Sequence, residues 1–242
     1  MIVPLRVATW NIHRGVGRDG RVDIERIAAV LQEISADIIG LQEVGFWSGE
    51  HLNVLEYFAT ITGAAPIEGI TLENELGHYG NAVLTRLPVH SMRQHDFSIS
   101  GREPRGAIDL KLKLGHTCIR FVSTHLGLRP AERRYQVQYL LKLFEEEGCA
   151  LDVLLGDLNE WFLFGRPLRR LHRCFGAQLA PATFPSGRPL FALDRLWTRP
   201  RAAVKRLRVH SSPLARVASD HLPLLADLEL DLPQPGDAIE PS

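Results

Sequence analysis

The sequence predicts an α/β fold, a four-layer sandwich of two packed mixed β-sheets flanked by helices. Three observations carry this. Strand and helix signals alternate through the first half, a series of consecutive strands follows, and polar residues stand where the strands should end.

The elements follow in order. Leu5 to Trp10 is a short β-type run. Ile24 to Ile34 has apolar residues at 24, 27, 28, 31 and 34, which is helical spacing, with Asp23 as a natural N-cap. Asp37 to Leu41 is a short buried strand, and His51 to Ile61 reads as a second helix. Strands are then expected at Ala82 to Leu87, Val89 to Phe97, Ala107 to Leu114 and Thr117 to Ser123, the last two joined by a hairpin turn at Gly115–His116. Pro130 to Phe144 is a helix with proline at its start. Leu151 to Leu155 is a buried strand, and later strands cover Ala192 to Trp197, Val204 to Val209 and Leu224 to Leu230.

The 242 residues (27.1 kDa) suit one large domain over 1–231. The Pro-rich, acidic segment 232–242 lacks periodicity and is expected to be a disordered tail. The three cysteines, Cys118, Cys149 and Cys174, show no CxxC spacing, which argues against a disulfide framework and a cysteine-built zinc site. No apolar run approaches the ~20 residues that span a bilayer, and the first residues do not read as a signal peptide. A cytoplasmic location is the expectation.

Net charge is zero, but unevenly distributed. Between Arg166 and Arg216 twelve Lys/Arg face one acid, Asp194, a net of +11, while the rest carries 16 basic and 27 acidic residues, −11. Such a segment is either a polyanion footprint or the solvated face of an arginine-rich protein.

Gly15, Gly17 and Gly20 fit GxGxxG, with Glu43 at a distance suited to a ribose contact. In a dinucleotide fingerprint the strand runs almost directly into the first glycine, and the third lies in the helix. Here Asn11 to Arg14 intervene, and Asp23 starts the helix only after Gly20. An ordinary glycine loop is the better reading, and a nicotinamide enzyme is set aside. P-loop, HExxH and GxSxG signatures are absent.

Asn11, Glu43, His125, Asp157 with Asn159, and Asp194 each follow an apolar run, while Asp220 and His221 precede the last strand. Ligands of layered α/β folds collect at one end of the sheets. A strand-end Asp or Asn alone is usually a turn former, and a lone His is usually a satisfied partner. Together these groups make a cleft of carboxylate, amide and imidazole. Hard oxygen ligands suit Mg²⁺ or Mn²⁺ better than zinc. Attack of water on a phosphoester needs such a set.

These residues lie in TWN (Thr9–Asn11), LQEV (Leu41–Val44), YGNAVLTR (Tyr79–Arg86), STHL (Ser123–Leu126), GDLN (Gly156–Asn159), LDRL (Leu193–Leu196) and SDHLP (Ser219–Pro223). In this order they resemble the endonuclease/exonuclease/phosphatase superfamily of metal-dependent phosphohydrolases, from residue 9 to 223. Pancreatic deoxyribonuclease, apurinic endonucleases, bacterial sphingomyelinases and inositol-polyphosphate phosphatases belong to that superfamily. The chain looks most like its compact bacterial members.

The resemblance implies roles. Asn11 and Glu43 would hold the divalent metal, with Asp220 a further metal-side carboxylate. Asp157, helped by Asn159, would orient and deprotonate the attacking water. His221 would bind the scissile phosphate, with Asp194 holding its imidazole and favouring its charged form. His125 would contact another phosphate oxygen, Asn81 would line the cleft, and Arg105 is a candidate phosphate-binding arginine. His13 and Arg14, in the glycine-rich loop, stay outside this core set.

The resemblance implies a phosphoester substrate, of unspecified kind. A nucleic-acid diester fits the basic segment. A phospholipid head group fits the compact bacterial members. A small phosphorylated metabolite, cleaved as a monoester, is a third choice, and a catalytically silent binding module of the same fold a fourth. No protein partner is inferable. Phe46–Trp47 and Trp161–Phe162–Leu163–Phe164 are the candidates for an apolar lip, although packing of the second run into the core is the preferred reading.

Overall fold

The computed structural model describes residues 1–46, 53–74, 77–145 and 148–232. Eleven strands form two sheets among these residues. The first contains β1 (Ile2–Asn11), β2 (Ile38–Phe46), β3 (Ala65–Asn74), β4 (Gly77–Thr85), β10 (Val204–Val209) and β11 (Leu224–Asp231), in the order β10-β11-β1-β2-β4-β3. The second contains β5 (Val89–Asp96), β6 (Gly106–Leu114), β7 (Thr117–His125), β8 (Leu151–Asp157) and β9 (Asp194–Arg199), in chain order. The helices are α1 (Ile24–Ile34), α2 (Val54–Thr62), α3 (Pro130–Leu143), α4 (Arg166–Phe175) and the short α5 (Ala215–Ala218).

Period-two alternation sorts the strand residues into layers. Val7, Ile38, Val83, Phe121, Val153 and Leu224 point inward and form the core between the sheets. Their neighbours Ala8, Ile39 and Leu84 turn outward, where Ile27, Leu31, Leu55 and Phe58 of α1 and α2 cover them. Val122 and Leu154 likewise turn to Val137, Leu140, Leu168 and Leu171 of α3 and α4. Helix, sheet, sheet and helix thus form the four layers expected.

The sheets are mixed. β1 and β2 run parallel through α1, and β7 and β8 run parallel through α3. β1 pairs antiparallel with β11, and β8 antiparallel with β9. The ends of β1, β2, β7 and β8 therefore lie at the same edge as the beginnings of β9 and β11.

Several boundaries differ from expectation. β2 continues past Leu41 to Phe46 through a bulge between Leu41 and Val44. The second helix starts at Val54, capped by Asn53, and His51 and Leu52 lie outside the described residues, as does Trp47. β3 is an addition. Its Pro66 and Gly69 mask the strand signal, yet proline is tolerated because β3 is an edge strand. Helix α4 is another addition, with Leu168, Leu171 and Phe175 on its buried face beneath an arginine-rich exterior. The Gly15–Gly20 stretch is a loop, and the Asp23 side chain caps α1 by accepting from the Arg26 N–H at 2.8 Å.

Two further differences are corrections. Cys118 and Cys149 form a disulfide, and Cys174 is the free cysteine. Motif spacing could not show this pairing. It arises because β7 and β8 are parallel neighbours in register at Ile119 and Leu151, which brings the two Cα atoms to 4.7 Å. The basic segment divides into two parts, and Arg166, Arg169, Arg170 and Arg173 of α4 are exposed. Arg195 is buried, Arg199 pairs with Asp152, and Lys205 and Arg208 pair with acids of β11. Leu232, the first residue of the expected tail, is buried and its N–H bonds to the Met1 carbonyl, while 233–242 lie outside the described residues. Among the described residues no helix is long and apolar enough to cross a membrane.

Candidate active site

Asp157 ends β8, directly beside His125 at the end of β7. Gly156 places it there. The Thr124 carbonyl lies 1.8 Å from where a Cβ at Gly156 would stand, and Gly156 has φ +145°, so a side chain is excluded on two grounds. Asp157 Oδ1 accepts from the Asn159 N–H at 2.9 Å. Asp157 Oδ2 accepts from the Asn11 amide at 3.1 Å and lies 3.5 Å from His125 Nε2 and 3.7 Å from His221 Nε2. All five residues are buried.

Asn159 has φ +49°, a left-handed conformation uncommon for a residue with a Cβ. The turn directs its amide to the Leu126 carbonyl and His125 Nε2, each at 3.0 Å. Glu43 has φ +57° and sits in the β2 bulge. Both are non-glycine residues in a sparsely populated region, held there by surrounding structure, a pattern typical of functional sites.

Asn11 ends β1 and spans two carboxylates, donating to Glu43 Oε1 at 3.0 Å as well as to Asp157. Two acids thus converge on one neutral amide. Among the described residues Asn11 is the only hydrogen-bond partner of Glu43, which leaves the other Glu43 oxygen open. This hard-oxygen donor set fits a Mg²⁺- or Mn²⁺-like cation. A second grouping, Asp157, Asp194 and His221, offers one atom from each within 4.8 Å of the others. There, however, His221 Nδ1 and Asp194 Oδ2 already engage each other at 2.8 Å, so the Asn11–Glu43 side is the better candidate.

His221 is fixed from several directions. Its Nδ1 meets Asp194, its carbonyl accepts from Trp10 Nε1 at 3.0 Å, and Phe184 packs on the ring at 4.9 Å. Thr183 donates its hydroxyl to Asp194 Oδ2. Burial opposes charge on His221, but Asp194 and Asp157 outweigh it and raise the imidazole to about 10. Burial pushes Asp157 up to about 6, against the pull of His221 and the Asn159 N–H. His125 behaves oppositely: burial, then Arg105 and His221, hold it well below the ordinary histidine value, and its ring is neutral.

The remaining expected residues engage other partners. Asp220 is half-buried and faces His13, whose Nδ1 is 3.8 Å away. Asn81 donates to the Gly106 carbonyl at 3.2 Å, next to Arg105. Arg105 is buried in a two-pronged pair with Glu103, at 2.7 and 3.0 Å. Three supports were not singled out in the sequence. Thr183 holds Asp194, Trp10 holds the His221 backbone, and Ser219 donates to the Asn11 carbonyl at 2.8 Å, tying the β11 approach to β1. Trp10 and Ser219 lie inside the quoted motifs. Thr183 lies in a loop with no local signal.

A four-layer sandwich with a polar cluster at this shared edge defines a class of generally hydrolytic enzymes, and this chain belongs to it: the endonuclease/exonuclease/phosphatase family, whose model matches residues 8–221. The uncharacterized protein YbhP of Escherichia coli K12 is 32% identical over 250 residues, covering 93% of this chain and 96% of YbhP. Among solved structures, the endonuclease/exonuclease/phosphatase from Beutenbergia cavernae is 25% identical with a TM-score of 0.76, covering 94% of this chain and 72% of that one. The Bacteroides vulgatus member is 20% identical with a TM-score of 0.77, covering 95% and 100%. Truncated Caenorhabditis elegans TDP2 is 19% identical with a TM-score of 0.66, covering 93% and 97%. The last two likenesses concern the fold.

Proposed function

We propose that this protein is a divalent-metal-dependent phosphodiesterase that cleaves its substrate by in-line attack of water. The observation that carries the reading is the position of Asp157, with Asn11, Asn159, His125 and His221 all within 3.7 Å of its carboxylate.

The roles follow from that geometry. Asp157 orients the water and takes its proton at a carboxylate oxygen, while the Asn159 N–H on Oδ1 keeps the group from rotating. His221, charged and clamped by Asp194, neutralises a phosphoryl oxygen as charge develops there. His125, neutral and fixed by Asn159, donates a hydrogen bond to another oxygen. Asn81 and Arg105 line the substrate side. Glu43 and Asn11 would hold Mg²⁺ or Mn²⁺, with Asp220 as a further carboxylate. When bound, the ion supplies Lewis-acid stabilisation of the phosphoryl and leaving oxygens. No covalent enzyme intermediate is required.

Hydrolysis of bis-p-nitrophenyl phosphate and its monoester, with Mg²⁺, Mn²⁺ or EDTA, tests this reading. Metal-dependent diester cleavage is expected, and Asp157→Asn should keep the fold and lose about 100-fold or more of the rate. Monoester preference would indicate a phosphatase. An Asp157→Asn enzyme of full activity would remove Asp157 from the chemistry.

A further inference from the structure

Trp161, Phe162, Leu163 and Phe164 do not enter the core. The last three are 67%, 65% and 85% exposed, which overturns the packing preferred from sequence. Monomeric proteins rarely leave so many consecutive large apolar side chains in water without a use for them.

The tip is built rather than loose. Glu160 beneath it is buried and pairs with buried Arg133 at 3.2 Å. The other Glu160 oxygen accepts from the Phe162 N–H at 3.1 Å, and the Gly165 N–H closes the turn on the Phe162 carbonyl at 2.9 Å. A Cβ at Gly165 would lie 2.6 Å from the Glu160 carboxyl carbon, so a side chain there would displace the carboxylate that holds the Phe162 N–H. Trp161 supports the tip from behind, its ring edge-on to Phe184 at 5.6 Å and to Phe191 at 5.0 Å.

The tip also borders the mouth of the site. Trp161 follows Asn159 by two residues, exposed Phe191 precedes Asp194 by three, and exposed Leu128 follows His125 by three. Phe184 packs on both Trp161 and His221.

Charge identifies the occupant. Helix α4 begins directly after the tip, with Leu168 and Leu171 buried and Arg166, Arg169, Arg170 and Arg173 exposed. None of these arginines forms an ion pair among the described residues, and no acid occurs from 161 to 193. An exposed apolar tip continuous with a cationic helix face matches an anionic bilayer surface: the tip enters the acyl boundary and the arginines meet the head groups. Single-stranded nucleic acid suits it less. Bases stack on successive open aromatic faces, whereas here only Phe162 and Phe164 offer them, separated by Leu163, and Trp161 is engaged by two rings.

We infer that the Trp161–Phe164 tip and the exposed face of α4 dock this protein on membranes rich in anionic lipid, with the mouth of the site against the bilayer.

Flotation of the full chain with phosphatidylcholine vesicles, with and without phosphatidylglycerol, tests this in EDTA, where turnover plays no part. The wild type should float with phosphatidylglycerol vesicles and be released by high salt. Phe162→Ser with Phe164→Ser should weaken binding on the order of tenfold or more with an unchanged melting temperature. Arg169→Gln with Arg170→Gln should selectively weaken binding to the anionic vesicles. Absence of binding to either vesicle would overturn the proposal. So would tight binding to oligothymidylate that the Phe162/Phe164 pair weakens while vesicle binding is untouched.

Discussion

His221 Nδ1 and Asp194 Oδ2 lie 2.8 Å apart, both side chains buried, in a contact that joins the start of β9 to the approach to β11. This pair fixes the ring so that Nε2 turns toward Asp157. It also makes the imidazolium tolerable away from water.

Asp194→Asn keeps the shape and removes the charge. The His221 ring should lose much of its preference for the charged form. In the hydrolase reading, kcat on a diester should fall by about 100-fold or more. Steady-state kinetics and the histidine resonances of the variant check this together. Unchanged values of both would show the contact to be structural only.

Among the described residues, Glu43 is the only acid bonded to Asn11 besides Asp157, and Glu43→Gln removes its charge. Mn²⁺ affinity, measured by titration calorimetry, should weaken on the order of tenfold or more. Treatment with EDTA should abolish diester cleavage by the wild type, and added Mg²⁺ or Mn²⁺ should restore it.

Glu33 accepts from Ser212 Oγ and faces His210 Nε2 at 2.7 Å, clasping α1 to the segment after β10. Burial raises the Glu33 carboxyl, but Ser212 and His210 outweigh it and leave it below the ordinary value. A depressed carboxyl stabilises the fold above its unfolded value and loses that contribution as pH falls through the folded one. Glu33→Gln should therefore cost stability at neutral pH and converge with wild type in acid. Partial exposure keeps the effect below about 1 kcal/mol. Thermal melts of both proteins across pH read it directly.

Protein isolated without reductant and then denatured should take up iodoacetamide at Cys174 alone. After reduction, Cys118 and Cys149 should react as well. Mass spectrometry of the alkylated chain distinguishes the two states.

Much of this molecule could be read locally. Apolar spacing at Ile24 to Ile34 and the Asp23 cap specify α1, because a helix repeats every few residues and signals its own start. Asn11, Glu43, His125 and Asp157 each follow an apolar run and are legible for that reason, although Glu43 sits in a bulge within β2 rather than at its end. What decided the rest is long-range. The edge position of β3 makes its proline acceptable, and the parallel register of β7 and β8 joins Cys118 to Cys149. The turn over Glu160 sends Phe162 to Phe164 into solvent, although their hydrophobicity alone favours the core. Thr183 reaches Asp194 because the chain turns back on itself between them, with Phe184 bridged to Phe191. Local propensity and periodicity mark most helices and strands and the residues able to do chemistry, because both are properties of neighbouring residues. The strand β3, the helix α4 and the meeting of the site residues depend on sheet order, register and packing, which no local stretch of chain carries.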